Sequence, residues 1–270
     1  MNPKPAPPSL ITLTTDFGTR DAYVGSMKGV ILGIRRNVAI IDLSHDLPPH
    51  RILPAAFLLR EVCPRFPEGT LHVAVIDPGV GGDRRPVILE IRNRFYVGPD
   101  NGIFGLLVKT FGLERGWRID NARLFPPAER SRTFHGRDLF APAAAHLASG
   151  VAPASLGPEI HDPLIPDVPV CTVLADRLEG EVLWIDRFGN ALTNIEDSLV
   201  QQWARGGSFR VRVAGRTLPG LSPHYGAVPI GDPLAIVSSF ATLEIACNQD
   251  SAQRVLRLRE ATPVVLERLG

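Results

Sequence analysis

The sequence predicts an α/β fold, an N-terminal doubly wound and mainly parallel sheet followed by a C-terminal small β-barrel domain, and three observations carry it. Over the first 150 residues short apolar runs alternate with stretches of helical periodicity, the pattern of parallel strands joined by crossover helices. Prolines at 153, 158, 163, 166 and 169 then break all periodicity, as in an extended connector. Beyond it, short β-type segments follow one another between Gly, Pro and Asn turns, the signature of a small barrel or sandwich. The expected division is an α/β domain over 1–150, a proline-rich linker over 151–170 and a β-barrel domain over 171–270.

After a loose, proline-rich start of eight residues, Leu10 to Thr14 reads as a buried strand, and turn chemistry from Asp16 to Asp21 leads into a helix over Ala22 to Ile34. Val38 to Leu43 is a second apolar run, Arg51 to Val62 a second helix, and Leu71 to Ile76 a third strand that ends in Asp77-Pro78-Gly79. A hairpin-like pair over 87–91 and 95–97 and helices over 103–110 and 138–148 complete the first domain. In the second, β segments are expected at 180–185, 208–213, 234–238, 242–246, 254–259 and 263–266.

Composition narrows the function. The 270 residues are 44% hydrophobic and 21% charged, and 29 basic against 28 acidic side chains leave a formal charge of +1. No global field would draw such a chain onto nucleic acid or an anionic membrane, so neither is an expected partner. Cys63, Cys171 and Cys247 are too few and too scattered for a disulfide framework or a CxxC zinc site, which suits a reducing cytoplasm. The start, MNPKPAPPSL, lacks the apolar core of a signal peptide, and no apolar run approaches the ~18 residues of a membrane span.

Acidic residues gather where the first three strands end: Asp16 and Asp21, then Asp46, then Asp77. In an open α/β sheet these carboxyl-end loops line the ligand crevice, and a carboxylate after the first strand can accept both hydroxyls of a ribose. Helix capping is the alternative use of Asp16 and Asp21. Asp77-Pro-Gly-Val-Gly-Gly-Asp-Arg84-Arg85 is glycine-rich but follows neither GxGxxG nor GxxxxGK[ST], so no phosphate cradle is indicated. It does join a carboxylate to an arginine through a flexible turn, as either a functional pair or a loop-closing ion pair. His135, ahead of Gly136 at a helix start, is a proton carrier or a structural histidine. His45, Asp46 and His50 follow no metal-ligand frame, and no metal or other cofactor is expected. The stretch Ile185 to Ile195 reads as a polar turn between two strands, and no GxSxG nucleophile elbow is present.

Six blocks run in order along the chain: TTDFGTRDAYVGSMKG at 14–29, IIDLSHDLPP at 40–49, HVAVIDPGVGGDRRPV at 72–87, YVGPDNGIF at 96–104, TFHGRDLFAPAAAHLA at 133–148 and IDRFGNALTNI at 185–195. With a weaker block, SSFATLEIACNQDSA at 238–252, they resemble the S-adenosylmethionine hydrolases, or hydroxide adenosyltransferases, relatives of the bacterial fluorinase and chlorinase. The resemblance implies an α/β domain and a β-barrel domain in a homotrimer whose active sites lie between one subunit's N-terminal domain and its neighbour's C-terminal domain. The implied reaction converts S-adenosyl-L-methionine and water into adenosine and L-methionine. By motif match, Asp16 would hold the ribose hydroxyls, Asp21 and Asp186 the methionine moiety, Asn190 the adenine, Tyr225 would pack on the purine, and Ser239 would meet the methionine carboxylate. Asp77, Arg84 and His135 match the triad of the hydrolases, where the halogenases carry an aromatic at the first position and a serine after the position of the last. The chain departs from the family where Asn-Ser-x-Gly is common, with Ser238-Ser239-Phe240-Ala241 instead. The competing functions are a non-catalytic binder of the same adenosyl ligand and a halide adenosyltransferase.

Overall fold

The computed structural model describes residues 8–269, so the loose start, Pro8 apart, lies outside the described residues. The chain divides into two compact units, 1–166 and 167–270.

The first unit is a seven-stranded sheet in the order β2-β1-β3-β5-β4-β6-β7. Its strands are β1 (Leu10–Thr15), β2 (Ala39–Ser44), β3 (Leu71–Val75), β4 (Pro86–Ile91), β5 (Arg94–Pro99), β6 (Arg115–Arg118) and β7 (Glu159–Ile160). The half from β2 to β5 is parallel and the rest antiparallel, so the sheet is mixed. Helices cover both faces, as a doubly wound sheet requires. On one, Val24, Met27 and Ile31 of α1 (Tyr23–Ile34) recur at helical spacing and pack with the alanine-rich α4 (Ala141–Ala148) against β1 and β3. On the other, α2 (Ile52–Val62) and α3 (Gly105–Phe111) bury Ala55, Leu59 and Leu107 against β4 and β5. Of the proline-rich segment, the part up to Pro166 falls in this unit: Leu156 is fully buried and β7 pairs with β6.

The second unit is a curled β-sheet in the order β12-β11-β15-β9-β10-β14-β13. These strands are β9 (Arg177–Ile185), β10 (Ala191–Glu196), β11 (Phe209–Val213), β12 (Arg216–Leu218), β13 (Pro233–Val237), β14 (Thr242–Cys247) and β15 (Pro263–Arg268), with β8 (Thr172–Val173) paired to β9. The end strands β12 and β13 approach one another, so the sheet nearly closes into a barrel around Val211, Ala235, Ile245 and Leu266. A short helix, α5 (Asp197–Ala204), seals one end with Val200 and Trp203. One expected strand is overturned. Residues 254–259 are not β: Ser251 accepts the Arg254 amide and caps a helix, α6 (Ala252–Leu256), that buries Ala252 and Leu256 one turn apart and stops at Arg257 with φ of +54°. An N-cap serine and an i, i+4 apolar pair outweigh the alternation that read as a strand. Among the described residues no helix is long and apolar enough to cross a membrane.

Candidate active site

In the first unit the loop after β3 folds back on itself, with Val80 and Gly82 donating to the carbonyls of Asp77 and Gly79. This returns Arg84 to Asp77: Nε lies 3.1 and 3.0 Å from the two carboxylate oxygens and Nη2 lies 2.5 Å from Oδ2. The pair is nearly sealed, with 4% of the Asp77 side chain and 11% of Arg84 exposed. Arg84 also rides 5.4 Å above the Phe140 ring. Arg85 turns the other way, onto Asp100 and Asp162, as neighbours entering a strand must.

His135 completes the group, its Nδ1 2.7 Å from Arg84 Nη2. A guanidinium only donates, so Nδ1 accepts and His135 is neutral with its proton on Nε2. Burial, reinforced by the Arg84 charge, pushes the His135 pKa below its ordinary value. Gly81 makes the approach possible: it has φ of +78°, and a Cβ there would stand 2.3 Å from the Arg132 carbonyl, three residues ahead of His135. Arg84 Nη1 and His135 Nε2 bond to no group among the described residues, yet neither is sealed from solvent.

Asp16 stands in the loop after β1, half-buried, with Oδ2 accepting the His50 amide at 2.8 Å. It does not cap α1: Ala22 is the N-cap and no side chain bonds there. Asp21 is exposed just ahead of that cap. Phe17 and Phe134, the chain neighbours of Asp16 and His135, meet edge to face at 5.9 Å, and Tyr23 joins them at 5.7 and 5.2 Å. An aromatic cluster thus ties the Asp16 loop to the His135 loop.

In the second unit the β9–β10 turn is organised by Asp186. Its Oδ1 accepts the amides of Phe188 and Asn190 at 2.8 and 2.9 Å, and Oδ2 accepts from Asn190 Nδ2 at 3.2 Å. The turn packs tightly on the start of α6: Gly189 has φ of +84°, and a Cβ there would lie 2.0 Å from Ser251 Oγ. Beside it opens a cleft of about 610 Å³ lined by Phe188, Asn190, Tyr225, Asn248, Asp250 and Ser251. Ser239 is exposed at the β13–β14 turn. That turn is held by Ser238, whose Oγ accepts the Phe240 amide at 3.2 Å, and Ala241 takes φ of +54°.

Sequence reasoning missed Glu244. It lies on β14, 4% exposed, and accepts the Tyr225 hydroxyl at 3.0 Å. Burial, aided by the Asp186 charge and opposed by the Tyr225 hydrogen bond, pushes its carboxyl up to about 7. The available signal was a lone charge inside the otherwise uncharged strand Thr-Leu-Glu-Ile-Ala-Cys.

Two family models match the chain, the SAM hydroxide adenosyltransferase N-terminal domain over residues 11–157 and the C-terminal domain over 180–265. A (R)-S-adenosyl-L-methionine hydrolase of Thermus thermophilus is 42% identical over 93% of this chain and 97% of its own. A fluorinase of an Actinoplanes species is more distant, 27% identical over 88% of this chain and 91% of its own. Among solved structures, an uncharacterized conserved protein of Thermotoga maritima superposes with a TM-score of 0.86 at 32% identity, over 96% of this chain and all of that one.

Proposed function

The chain belongs to the SAM hydroxide adenosyltransferase family, and on that premise we propose that it hydrolyses (R)-S-adenosyl-L-methionine to adenosine and L-methionine, with water attacking the ribose 5′ carbon. The observation that carries this reading is Arg84, held on one side by Asp77 and His135 while the two N–H groups of Nη1 remain available to solvent. The sulfonium is a permanent cation that leaves as a neutral thioether with the C5′–S electron pair, so the leaving group needs no acid. What the reaction needs is a water held in line with that bond at ~3–3.5 Å. Arg84 Nη1 donates to this water and favours the hydroxide-like charge that grows on it, while His135, accepting Arg84 Nη2 through Nδ1, holds the guanidinium in place. Its proton passes to Asp77 by way of solvent, since Oδ1 is bonded to Arg84 Nε on the other side of the guanidinium from Nη1 and keeps a lone pair. His135 in this tautomer acts through Arg84, which it orients, rather than by taking the water's proton.

The remaining groups bind. Asp16 takes the ribose hydroxyls, Asp21 and Asp186 the methionine ammonium, and Ser239 the methionine carboxylate. Asn190 and Tyr225, beside the cleft, suit the edge and the face of a purine. The stereochemical label comes from the name of the Thermus relative. Each sulfonium epimer, incubated separately in ¹⁸O-water, tests the reading: the (R) epimer is expected to turn over faster and to deliver label to the adenosine 5′ oxygen. Label in methionine, or release of methylthioadenosine, would overturn it.

The assembly is proposed to be a homotrimer in which the α/β unit of one subunit meets the β unit of its neighbour. Support comes from the split of the binding groups, with Asp16, Asp77, Arg84 and His135 in one unit and Asp186, Asn190, Tyr225 and Ser239 in the other. Sedimentation at assay concentration is expected to return the mass of three chains, and a monomer that keeps full activity on dilution would exclude the trimer. A cytoplasmic location belongs to the same proposal, supported by three buried cysteines that are all free.

A further inference from the structure

His45 follows β2, is 5% exposed, and touches the Asp16 loop on both flanks of the carboxylate. On the near side its Nδ1 lies 2.8 Å from Thr15 Oγ1, and the same Oγ1 accepts the Phe17 amide at 3.2 Å. On the far side its carbonyl accepts the Gly18 amide at 2.8 Å, where Gly18 takes φ of +68°. Its Nε2 stands 3.0 Å from Asp42 Oδ1 but outside hydrogen-bond geometry, and Asp42 Oδ2 accepts Lys28 Nζ of α1 at 2.6 Å. Through Nδ1 the imidazole therefore braces the turn against the end of β2. The five residues after it bring the His50 amide onto Asp16 Oδ2. A loop with a left-handed glycine and a charged carboxylate has many alternative conformations in water, and bracing it in advance removes the ordering cost from binding.

We propose that His45 is the positioning residue for Asp16, holding the Thr15–Gly18 turn so that the carboxylate is preset to receive a vicinal diol. The proposal rests on the reading of Asp16 as the ribose ligand. It gives work to a histidine that follows no metal-ligand frame in the sequence, and it uses both the backbone and the ring of that histidine.

The test uses the full chain and adenosine as the binding probe. His45→Ala is expected to weaken adenosine binding about tenfold, the scale of one or two hydrogen bonds. KM should rise in step while kcat stays within about threefold, since the water-holding groups are untouched. His45→Asn, which keeps a polar atom near the Nδ1 position, should restore most of the affinity. Thr15→Val removes the same tie, together with the acceptor of the Phe17 amide, with almost no change of volume; it should weaken binding at least as much as His45→Ala does, which covers the case in which the alanine variant folds poorly. In an Asp16→Ala background, His45→Ala should add no further loss, because it acts only through Asp16. Native affinity in folded His45→Ala and Thr15→Val, an additive loss in the double variant, or a fall in kcat without a change in affinity would each overturn the positioning role alone. Native affinity in Asp16→Ala would remove the ribose assignment and the positioning role together, and would be recognised because that variant contains an intact His45.

Discussion

Arg84→Ala is expected to lower kcat by about a hundredfold or more while leaving adenosine affinity nearly unchanged, the scale for removing a preorganised electrostatic group from a reacting centre. The reason is geometric. Arg84 is the hub of the group, bonded to Asp77 through Nε and Nη2 and to His135 through Nη2, and its Nη1 faces solvent. Removing it takes away the donors to the nucleophile, leaves the buried Asp77 carboxylate without its partner, and frees the His135 ring. His135→Ala removes a single acceptor of Arg84 that a second water can replace, so it should be the milder change. The two are not expected to add, because they act through one constellation. The same geometry sets a pH dependence. The bond from Arg84 Nη2 requires neutral His135, whose pKa lies below the ordinary value of ~6.5. Protonation would set two cations against each other, so activity should hold through pH 6.5 and fall only as the pH drops through the lowered pKa, and His135→Gln should lose that acid limb. Stability follows the same sign: the unfolded chain takes up the proton first, so the fold loses stability as pH falls below ~6.5. Single-turnover rates across pH, with adenosine titrations on the same variants, check both. Native kcat in folded Arg84→Ala and His135→Ala would make the group a structural ion-pair cluster and move a non-catalytic binder ahead of the hydrolase.

How far the site could be read from the sequence depended on chain distance. Asp77 and Arg84 are seven residues apart across a glycine-rich turn, and their pairing follows from that turn alone. His135 is 51 residues from Arg84, and its approach depends on Gly81 packing against the Arg132 carbonyl, a tertiary fit that no local pattern signals. Asp186 and Asn190 lie in one hairpin turn and were legible together, whereas Glu244 meets Tyr225 across 19 residues and a loop. In the fold, α1 had enough length to show its period and β3 reads as a continuous buried run, while β6 and β7, four and two residues long, gave no pattern. The departure at 238–241 is absorbed locally. Ala241 adopts the left-handed conformation that a glycine takes more easily, and the Ser238 hydroxyl closes the turn by accepting the Phe240 amide.

Asp16→Ala should weaken adenosine binding by roughly 2–3 kcal/mol, or about 30- to 150-fold in Kd, the range for hydrogen bonds to a charged acceptor. Asp16 Oδ2 already accepts the His50 amide, which orients the carboxylate and leaves one lone pair of Oδ2 and both of Oδ1 for a ligand. Two adjacent ribose hydroxyls present two donors at about the spacing of the two oxygens of one carboxylate, so both can be taken at once. Because Asp16 caps no helix, its loss removes no support from α1, and the effect should fall on binding rather than on folding. Part of the loss will come from the His50 amide left without an acceptor. A second ligand separates that part: with 2′-deoxyadenosine, which lacks one hydroxyl, wild-type affinity should drop while the Asp16→Ala penalty shrinks, because half of what the carboxylate recognises is already gone. Calorimetric titration of both nucleosides against both proteins gives the coupling directly. Equal penalties for the two nucleosides, or no penalty for adenosine, would show that Asp16 organises the loop up to His50 and does not read the ribose.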